Sequence, residues 1–266
     1  MLIYNERVVK IDHFPDGTIL MKCEVMQRQE HFITWVFESN EELVALIYLV
    51  NHIRSNPDAS HEITLYMDYI PNARQDRVKN PEDVFTLKYF ASIINSLGFS
   101  HVYVSDPHSP VSEALINNIV VLKMDDRIRK LYERISREST NPVMMFYPDE
   151  GAMKRYSGAV EAPYTFGIKR RDWKTGRIMG LDVSGEIGQI EGSNILIADD
   201  ICSRGGTFTH SARRLKELGA ENIFLYVTHC EKTILDGTVL TDGLIEKVFT
   251  TDSLPAVNHE KIEVLL

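Results

Sequence analysis

Residues 195 to 207 read Ile-Leu-Ile-Ala-Asp-Asp-Ile-Cys-Ser-Arg-Gly-Gly-Thr. The apolar run predicts a short buried strand, two acids end it, and two glycines turn the chain into a helix starting near Phe208. Such a layout suits a phosphorylated ribose. The glycines let backbone N–H groups approach phosphate oxygens, the helix start offers the positive end of its dipole, and Asp199 and Asp200 can face ribose hydroxyls. The chain has neither a G-x-x-x-x-G-K-[ST] nor a G-x-G-x-x-G after a strand, so the two common phosphate loops do not compete. The plainer reading is an ordinary strand, turn and capped helix with surface acids.

Outward from this stretch, strands and helices alternate. Ser39-x-x-Glu42 has the form of a capping box, and Leu43, Leu46, Ile47, Val50 and Ile53 follow at helical spacing. Strands are expected at Ile63–Met67, His101–Val104, Val143–Phe146, Tyr164–Ile168, Ile195–Ala198 and Ile223–Val227. Helices are expected over Glu82–Leu97, closed by Gly98, over Asp126–Ile135, and over Phe208–Leu218, closed by Gly219. The alternation predicts an α/β fold with mostly parallel sheets covered by helices on both faces, and sites beyond the carboxyl ends of the strands.

With 266 residues, 44% of them hydrophobic, the chain can fill one large domain or two ordinary ones. Twenty-nine Lys and Arg against 38 Asp and Glu give a net charge of -9, which argues against general binding to nucleic acid or acidic membranes. Local basic clusters must do any phosphate work. No apolar run approaches a membrane span and the N-terminus lacks a signal-peptide layout, so a cytoplasmic metabolic enzyme is expected. Cys23, Cys202 and Cys230 are too few and too scattered for a disulfide framework or a zinc site.

Several further segments stand in a definite order. Pro71-Asn72-Ala73-Arg74-Gln75-Asp76-Arg77 resembles the Tyr-Ala-Arg-Gln-Asp-Arg signature of the ribose-phosphate diphosphokinases, the 5-phosphoribosyl 1-diphosphate (PRPP) synthetases. Phe14-Pro15-Asp16-Gly17-Thr18 is similar to that family's adenine-shelf segment, Ser105-Asp106-Pro107-His108 to its Asp-Leu-His motif, and Pro148-Asp149-Glu150-Gly151-Ala152 to its Pro-Asp-x-Gly-Gly motif. Lys169-Arg170-Arg171 matches the start of its catalytic flexible loop, and Thr251-Asp252-Ser253-Leu254-Pro255 a late family motif. Residues 195 to 207 then resemble its PRPP loop.

The resemblance implies two related α/β domains, placed here at 1–123 and 124–266, with the last strand, Lys261 to Leu265, crossing back to the first. It implies transfer of the diphosphoryl group of ATP to the anomeric 1-hydroxyl of ribose 5-phosphate, giving PRPP and AMP. Lys169 and Arg171 would clamp the transferred group as a lid made mobile by Gly176 and Gly180. His108 and Asp149 would associate with Mg²⁺, and His108 would also belong to the catalytic set with Lys169 and Arg171. Phe14, Asp16, Arg74, Gln75 and Asp76 would bind ATP, and Asp199, Asp200, Ser203, Arg204, Gly205, Gly206 and Thr207 the ribose phosphate. A shared adenine site implies a homo-oligomer, at least a dimer.

Departures from the family pattern are equally specific. Ser203-Arg204 stands where the family has Asp-Thr, exchanging a carboxylate for a guanidinium. A more positive loop suits a second phosphate, so ADP-ribose is an alternative acceptor, giving ADP-ribose 1-diphosphate in an NAD-related pathway. Asn72 replaces an aromatic residue, Thr18 a glutamate, and little chain precedes Phe14 for the family's first strand and helix. A phosphoribosyltransferase would use the same loop but needs neither the Ala-Arg-Gln-Asp-Arg segment nor the basic lid. A non-catalytic associated subunit would have lost the lid pair or the metal residues.

Overall fold

The computed structural model describes residues 1–171 and 178–265, with the backbone alone for residues 169–171 and 178–181. It divides into two compact units. The first holds Met1–Leu122 with Ser253–Pro255, the second Lys123–Asp252 with Ala256–Leu266.

The first unit begins with two short strands, β1 (Leu2–Tyr4) and β2 (Arg7–Val8), and a hairpin of β3 (Ile11–His13) and β4 (Ile19–Met21). It continues through β5 (His31–Trp35), α1 (Glu41–Ser55), β6 (Ile63–Tyr66), α2 (Thr86–Ser96), β7 (His101–Ser105), the short α3 (Pro110–Leu115) and β8 (Ile119–Leu122). The sheet order is β2-β1-β5-β6-β7-β8, with β5 to β8 parallel and β1 antiparallel to its neighbours. Each parallel crossover from β5 to β8 therefore steps one strand in the same direction. Right-handed crossovers that all step one way leave their helices on one face.

The packing follows that rule. Leu2, Tyr4, Ile33, Trp35, Leu65, Val102 and Val104 from the strands form one core with Leu46, Leu49, Val50 and Ile53 of α1 and Leu87, Phe90 and Ile94 of α2. Ile11, Ile19 and Met21 of the hairpin pack against the same core. Helices on both faces are thus not what this unit builds, because the crossovers never reverse direction. The short stretch before Phe14, which leaves little room for the family's first strand and helix, forms the antiparallel pair β1–β2.

Two local expectations also shift. Glu42 accepts from the backbone N–H groups of Glu38 at 2.9 Å and Ser39 at 3.4 Å and from the Trp35 indole at 2.9 Å, but no side chain caps α1, so only half of the capping box forms. The second helix starts at Thr86 rather than Glu82. Asp83 instead accepts from the N–H groups of Lys79 and Asn80, both at 2.8 Å, and this turn competes with a helical start.

The second unit runs α4 (Asp125–Glu138), β9 (Val143–Tyr147), α5 (Glu150–Tyr156), β10 (Tyr164–Arg171), β11 (Ile178–Gly185), β12 (Asn194–Cys202), α6 (Gly206–Glu217), β13 (Ile223–Cys230), β14 (Lys247–Thr250) and β15 (Ile262–Val264). Its sheet order is β11-β10-β9-β12-β13-β14-β15, parallel except for β11. From β9 the chain steps to β10; from β12 it steps the opposite way to β13. Helices consequently cover both faces. Met144, Phe146, Ile195 and Ile197 pack with Phe208, Ala212 and Leu215 of α6, while Met145, Tyr147, Leu196 and Ala198 pack with Ile128, Leu131 and Ile135 of α4 and Ala152 and Tyr156 of α5.

The last strand does not cross back. β15 pairs in parallel with β14 of the same sheet, where Glu263 bridges Arg134 at 2.6 Å and also meets Lys247. No helix among the described residues is long and apolar enough to cross a membrane.

Candidate active site

In the second unit the chain leaves β9 one way and β12 the other, so the crevice at the carboxyl ends of these adjacent strands is a topological switch point. Open α/β sheets bind their ligands at such places. Three predicted carboxylates lie there. Asp149 follows β9 and caps α5, accepting from the N–H of Ala152 at 3.1 Å. Asp199 and Asp200 lie within β12, and the N–H of Asp200 donates to the Asp199 carboxylate at 3.0 Å.

Their charges are interdependent. Burial pushes the Asp199 carboxyl well above the usual carboxylate range, and the charges of Asp200 and Asp149 push it further. Asp200 is buried and faces Arg155 of α5 at 3.3 Å, so one fixed cation answers part of the acidic cluster. Arg155 also lies against the Tyr156 ring, 5.6 Å from its centroid.

Beyond β12 the chain turns through Ser203, Arg204 and Gly205 into α6. Gly205 has φ of 74°, a left-handed conformation open to glycine, and an added Cβ would stand 3.0 Å from Cβ of Val239 and closer to one of its methyls. Its carbonyl receives the N–H of Thr209 at 3.0 Å, while Gly206 and Thr207 form the first turn of α6. The N–H groups of that turn are a ready anion site.

A distant segment supports the loop from behind. Ser203 shares a hydroxyl contact with Thr233 at 2.9 Å, Thr209 one with Thr238 at 3.2 Å, and the N–H of Glu231 donates to the Cys202 carbonyl at 2.8 Å. Arg204 is exposed and forms no ion pair with a carboxylate among the described residues. Cys202 and Cys230 are buried free thiols whose ionisation burial opposes, Cys230 being pushed up to about 12, so neither is a nucleophile.

The first unit carries the predicted nucleotide segment between β6 and α2. Asn72 takes a left-handed φ of 64° where the family pattern has an aromatic residue. Arg74 and Gln75 are exposed, and Gln75 accepts from the Thr86 hydroxyl at 2.8 Å, joining the segment to the start of α2. Asp76, expected to serve ATP, is held by a neighbouring arginine. It is buried and gripped by Arg77, Nε at 2.7 Å and Nη2 at 2.8 Å, a two-point fork that lowers its carboxyl to about 2 against the opposing effect of burial. Ser109 and then His108 add to the lowering, which sets Asp76 beside the loop after β7.

Phe14 and Asp16 lie in the β3–β4 turn. Phe14 is 49% exposed, and Asp16 accepts from the Thr18 hydroxyl at 2.7 Å and N–H at 3.0 Å, which lowers its carboxyl. Lys169 and Arg171 fall on the β10 backbone, but their side chains lie outside the described residues, as does Gly176 entirely; of Gly180 only the backbone, in β11, is described. His108 and Asp149 belong to different units. Among the described residues no three His, Cys, Asp or Glu side chains form a metal-holding group.

Sequence reasoning missed Arg77 as a partner of Asp76, Arg155 as the cation beside Asp200, and the Thr233–Val239 support. Arg155 carried a faint signal, being on the helix that Asp149 caps. The support carried none, since it lies a strand away from the loop it touches.

Known proteins bear on this arrangement. No family model matches the chain. The ribose-phosphate pyrophosphokinase 1 of Listeria innocua is 27% identical over 263 residues, covering 94% of this chain and 78% of that protein. The Buchnera aphidicola ribose-phosphate pyrophosphokinase is 26% identical over 271 residues, 99% of this chain and 83% of its own. That of Thermococcus kodakarensis is 26% identical over 256 residues, 94% and 85% respectively. In structure, the phosphoribosylpyrophosphate synthetase of Mycobacterium smegmatis superimposes with a TM-score of 0.78 at 18% identity, covering 97% of this chain and 85% of its own, so the fold is shared. The chain is thus similar along nearly its whole length to ribose-phosphate pyrophosphokinases and shares the fold of a phosphoribosylpyrophosphate synthetase.

Proposed function

We propose that the chain transfers the diphosphoryl group of ATP to the 1-hydroxyl of ribose 5-phosphate, forming PRPP and releasing AMP. The observation that carries this reading is the β12–loop–α6 cradle. It combines the acid pair Asp199–Asp200, a left-handed Gly205 and an open helix start, in a chain whose relatives are named for this chemistry. In the reaction the anomeric oxygen attacks the β-phosphorus, the bond from that phosphorus to the α,β-bridging oxygen breaks, and AMP departs. The hydroxyl proton is lost to solvent or to a nearby base.

Each part of the chain has a task in that step. The first turn of α6 and Thr207 hold the 5-phosphate, and Asp199 and Asp200 accept from the ribose hydroxyls. Phe14, Asp16, Arg74 and Gln75 serve the nucleotide, Asp76 holding their segment in place. Lys169 and Arg171 meet charge developing on the transferred oxygens, where positioning and electrostatics supply most of the catalysis. Mg²⁺, which the resemblance implies, would be held in the second unit by Asp149 and Asp199, whose charges oppose each other when no cation is near. Bound there, or through water near His108, it would neutralise phosphate charge.

A second acceptor is favoured by one observation: Arg204 is an exposed cation at the cradle with no carboxylate partner among the described residues. ADP-ribose brings a second phosphate to that position. Incubation with ATP, Mg²⁺ and either acceptor, read as AMP release, tests both readings. Release with ribose 5-phosphate alone supports the first, release at or above that rate with ADP-ribose supports the second, and none with either refutes both. Arg204→Thr should then weaken ADP-ribose use by about 1.5 to 3 kcal/mol, the worth of a charge-assisted hydrogen bond, and spare ribose 5-phosphate.

A further inference from the structure

At the edge of the second unit's sheet, a cavity of about 650 Å³ opens between α4 and β15. Its wall is basic in a chain whose net charge is -9. Arg127, Lys130 and Arg134 follow one another three and four residues apart, so they share one face of α4, and Lys123 extends the row just before the helix. Leu131, Val264 and Leu265 supply the apolar lining.

Two carboxylates also line the cavity, and both are already answered. Asp126 pairs with Arg129, and Glu263 bridges Arg134 at 2.6 Å and meets Lys247. Arg127 donates to the Leu265 carbonyl at 2.6 Å, which ties the helix to the strand and leaves the guanidinium charge in place. Lys123 and Lys130 are exposed, with no carboxylate partner among the described residues. The surplus on this wall is positive.

Among the described residues β15 is the last strand of its sheet, paired with β14 alone. The N–H of Val248 donates to the Lys261 carbonyl at 2.8 Å, and that of Leu265 to the Thr250 carbonyl at 2.7 Å. In a parallel ladder the residues between then turn outward, so Val264 presents its N–H and C=O, and Ile262 its C=O, to the open edge. Such an edge is a template for another strand. We propose that this edge and the basic row of α4 together dock an extended acidic segment of a partner protein, added as one more strand beside β15.

Both halves of the site favour the same occupant. A strand added there lies about 4.8 Å beyond β15, and its alternate side chains, about 6.6 Å apart, point to the side of the sheet that α4 covers. Neighbouring cations on one helix face stand about 5 to 6 Å apart, so acidic residues at alternate positions meet them in turn. A small anion would use the cations and leave the strand edge unpaired. An extended acidic chain satisfies both.

Fluorescence anisotropy of the full chain with a short fluorescein-labelled peptide of alternating glutamate and valine reads the docking directly. Binding should be saturable, and should weaken at least about ten-fold at about 1 M salt, where the screening length falls to about 3 Å. The double variant Lys123→Glu/Lys130→Glu should weaken it at least about ten-fold, while Lys10→Glu/Lys88→Glu, the same change in net charge on the first unit, should leave it within about two-fold of wild type. The same peptide with its backbone N-methylated keeps its charge but cannot donate to the edge, and should bind at least about ten-fold more weakly. Hydrogen exchange of wild type needs no variant: the Val264 amide should slow when the peptide saturates the chain. Absence of peptide binding overturns the proposal, as does binding that Lys123→Glu/Lys130→Glu leaves unchanged. An N-methylated peptide that binds equally well, or a Val264 amide unchanged in the bound chain, removes the strand edge from the site and overturns it too. Inorganic tripolyphosphate that displaces the peptide at equal concentration would assign the cavity to a small anion and overturn the acidic segment as its occupant.

Discussion

Replacing Gly237 by alanine would set a methyl carbon 2.8 Å from the carbonyl carbon of Arg204 and nearer still to its oxygen. Gly237 has φ of -105°, which alanine adopts freely, so the conflict is steric and not conformational. Both sides of it are backbone, and no rotamer can relieve it. Ordinary contact between carbon atoms begins at about 3.5 Å, so the loop carrying Arg204 must retreat by about 1 Å. Overpacking of this kind costs about 1 to 3 kcal/mol of stability, and a misplacement of about 1 Å costs about 100-fold in rate. Initial rates with each substrate varied in turn should show kcat/KM for the sugar phosphate falling about 100-fold, with KM for ATP within about two-fold of wild type. A folded Gly237→Ala protein with wild-type constants for both substrates would refute the claim that the 231–239 segment positions the loop. Gly205→Ala makes an instructive contrast. Its clash is with the Val239 side chain, so Val239→Ala in the same chain should recover part of the loss, leaving the strain of φ at 74°.

Arg155→Gln removes the cation beside buried Asp200 while three carboxylates stay close together; it should cost about 1 to 3 kcal/mol in denaturant unfolding and raise KM for the sugar phosphate. Unchanged stability would mean that Arg155 contributes nothing to holding the acid cluster. For Asp76, held at about 2 instead of the ordinary 3.8, the stabilisation is complete above pH 3.8 and lost as the pH falls through about 2. The difference in unfolding free energy between wild type and Asp76→Asn should therefore be constant above about pH 4 and close toward pH 2, and a difference that does not narrow would contradict the Arg77 fork. Lys169→Ala should lower turnover by about 10²- to 10³-fold, equivalent to about 3 to 4 kcal/mol, with an unchanged melting temperature; an unchanged kcat would remove this lysine from the mechanism.

The β/α alternation, the glycine turn from β12 into α6 and the acid pair were legible in the chain because each is a local pattern. Apolar runs, capping residues and turn glycines act on neighbours a few positions away, and the strands and helices expected from them appear within a few residues of their predicted places, whereas β1 to β5, β8, β11, β14, α3 and α5 were not expected. Among the expected elements, the shifts share one cause, competition from groups that local pattern does not contain. Asp83 held its own turn and delayed α2, and Glu42 spent its carboxylate on Trp35 and the backbone before α1. The last strand followed the open edge of β14.

The pairing of Asp200 with Arg155, of Gly205 with Val239 and of Gly237 with Arg204 could be decided only by the folded chain. These partners lie tens of residues apart and meet because β9, β12 and β13 are adjacent in the sheet. The same holds for the sheet of the first unit, whose helices cover one face. The sequence alone placed β6 and β7 as strands with α2 between them. Which face those helices cover depends on the direction of every crossover, and that direction is a property of strand order, which exists only in the tertiary structure.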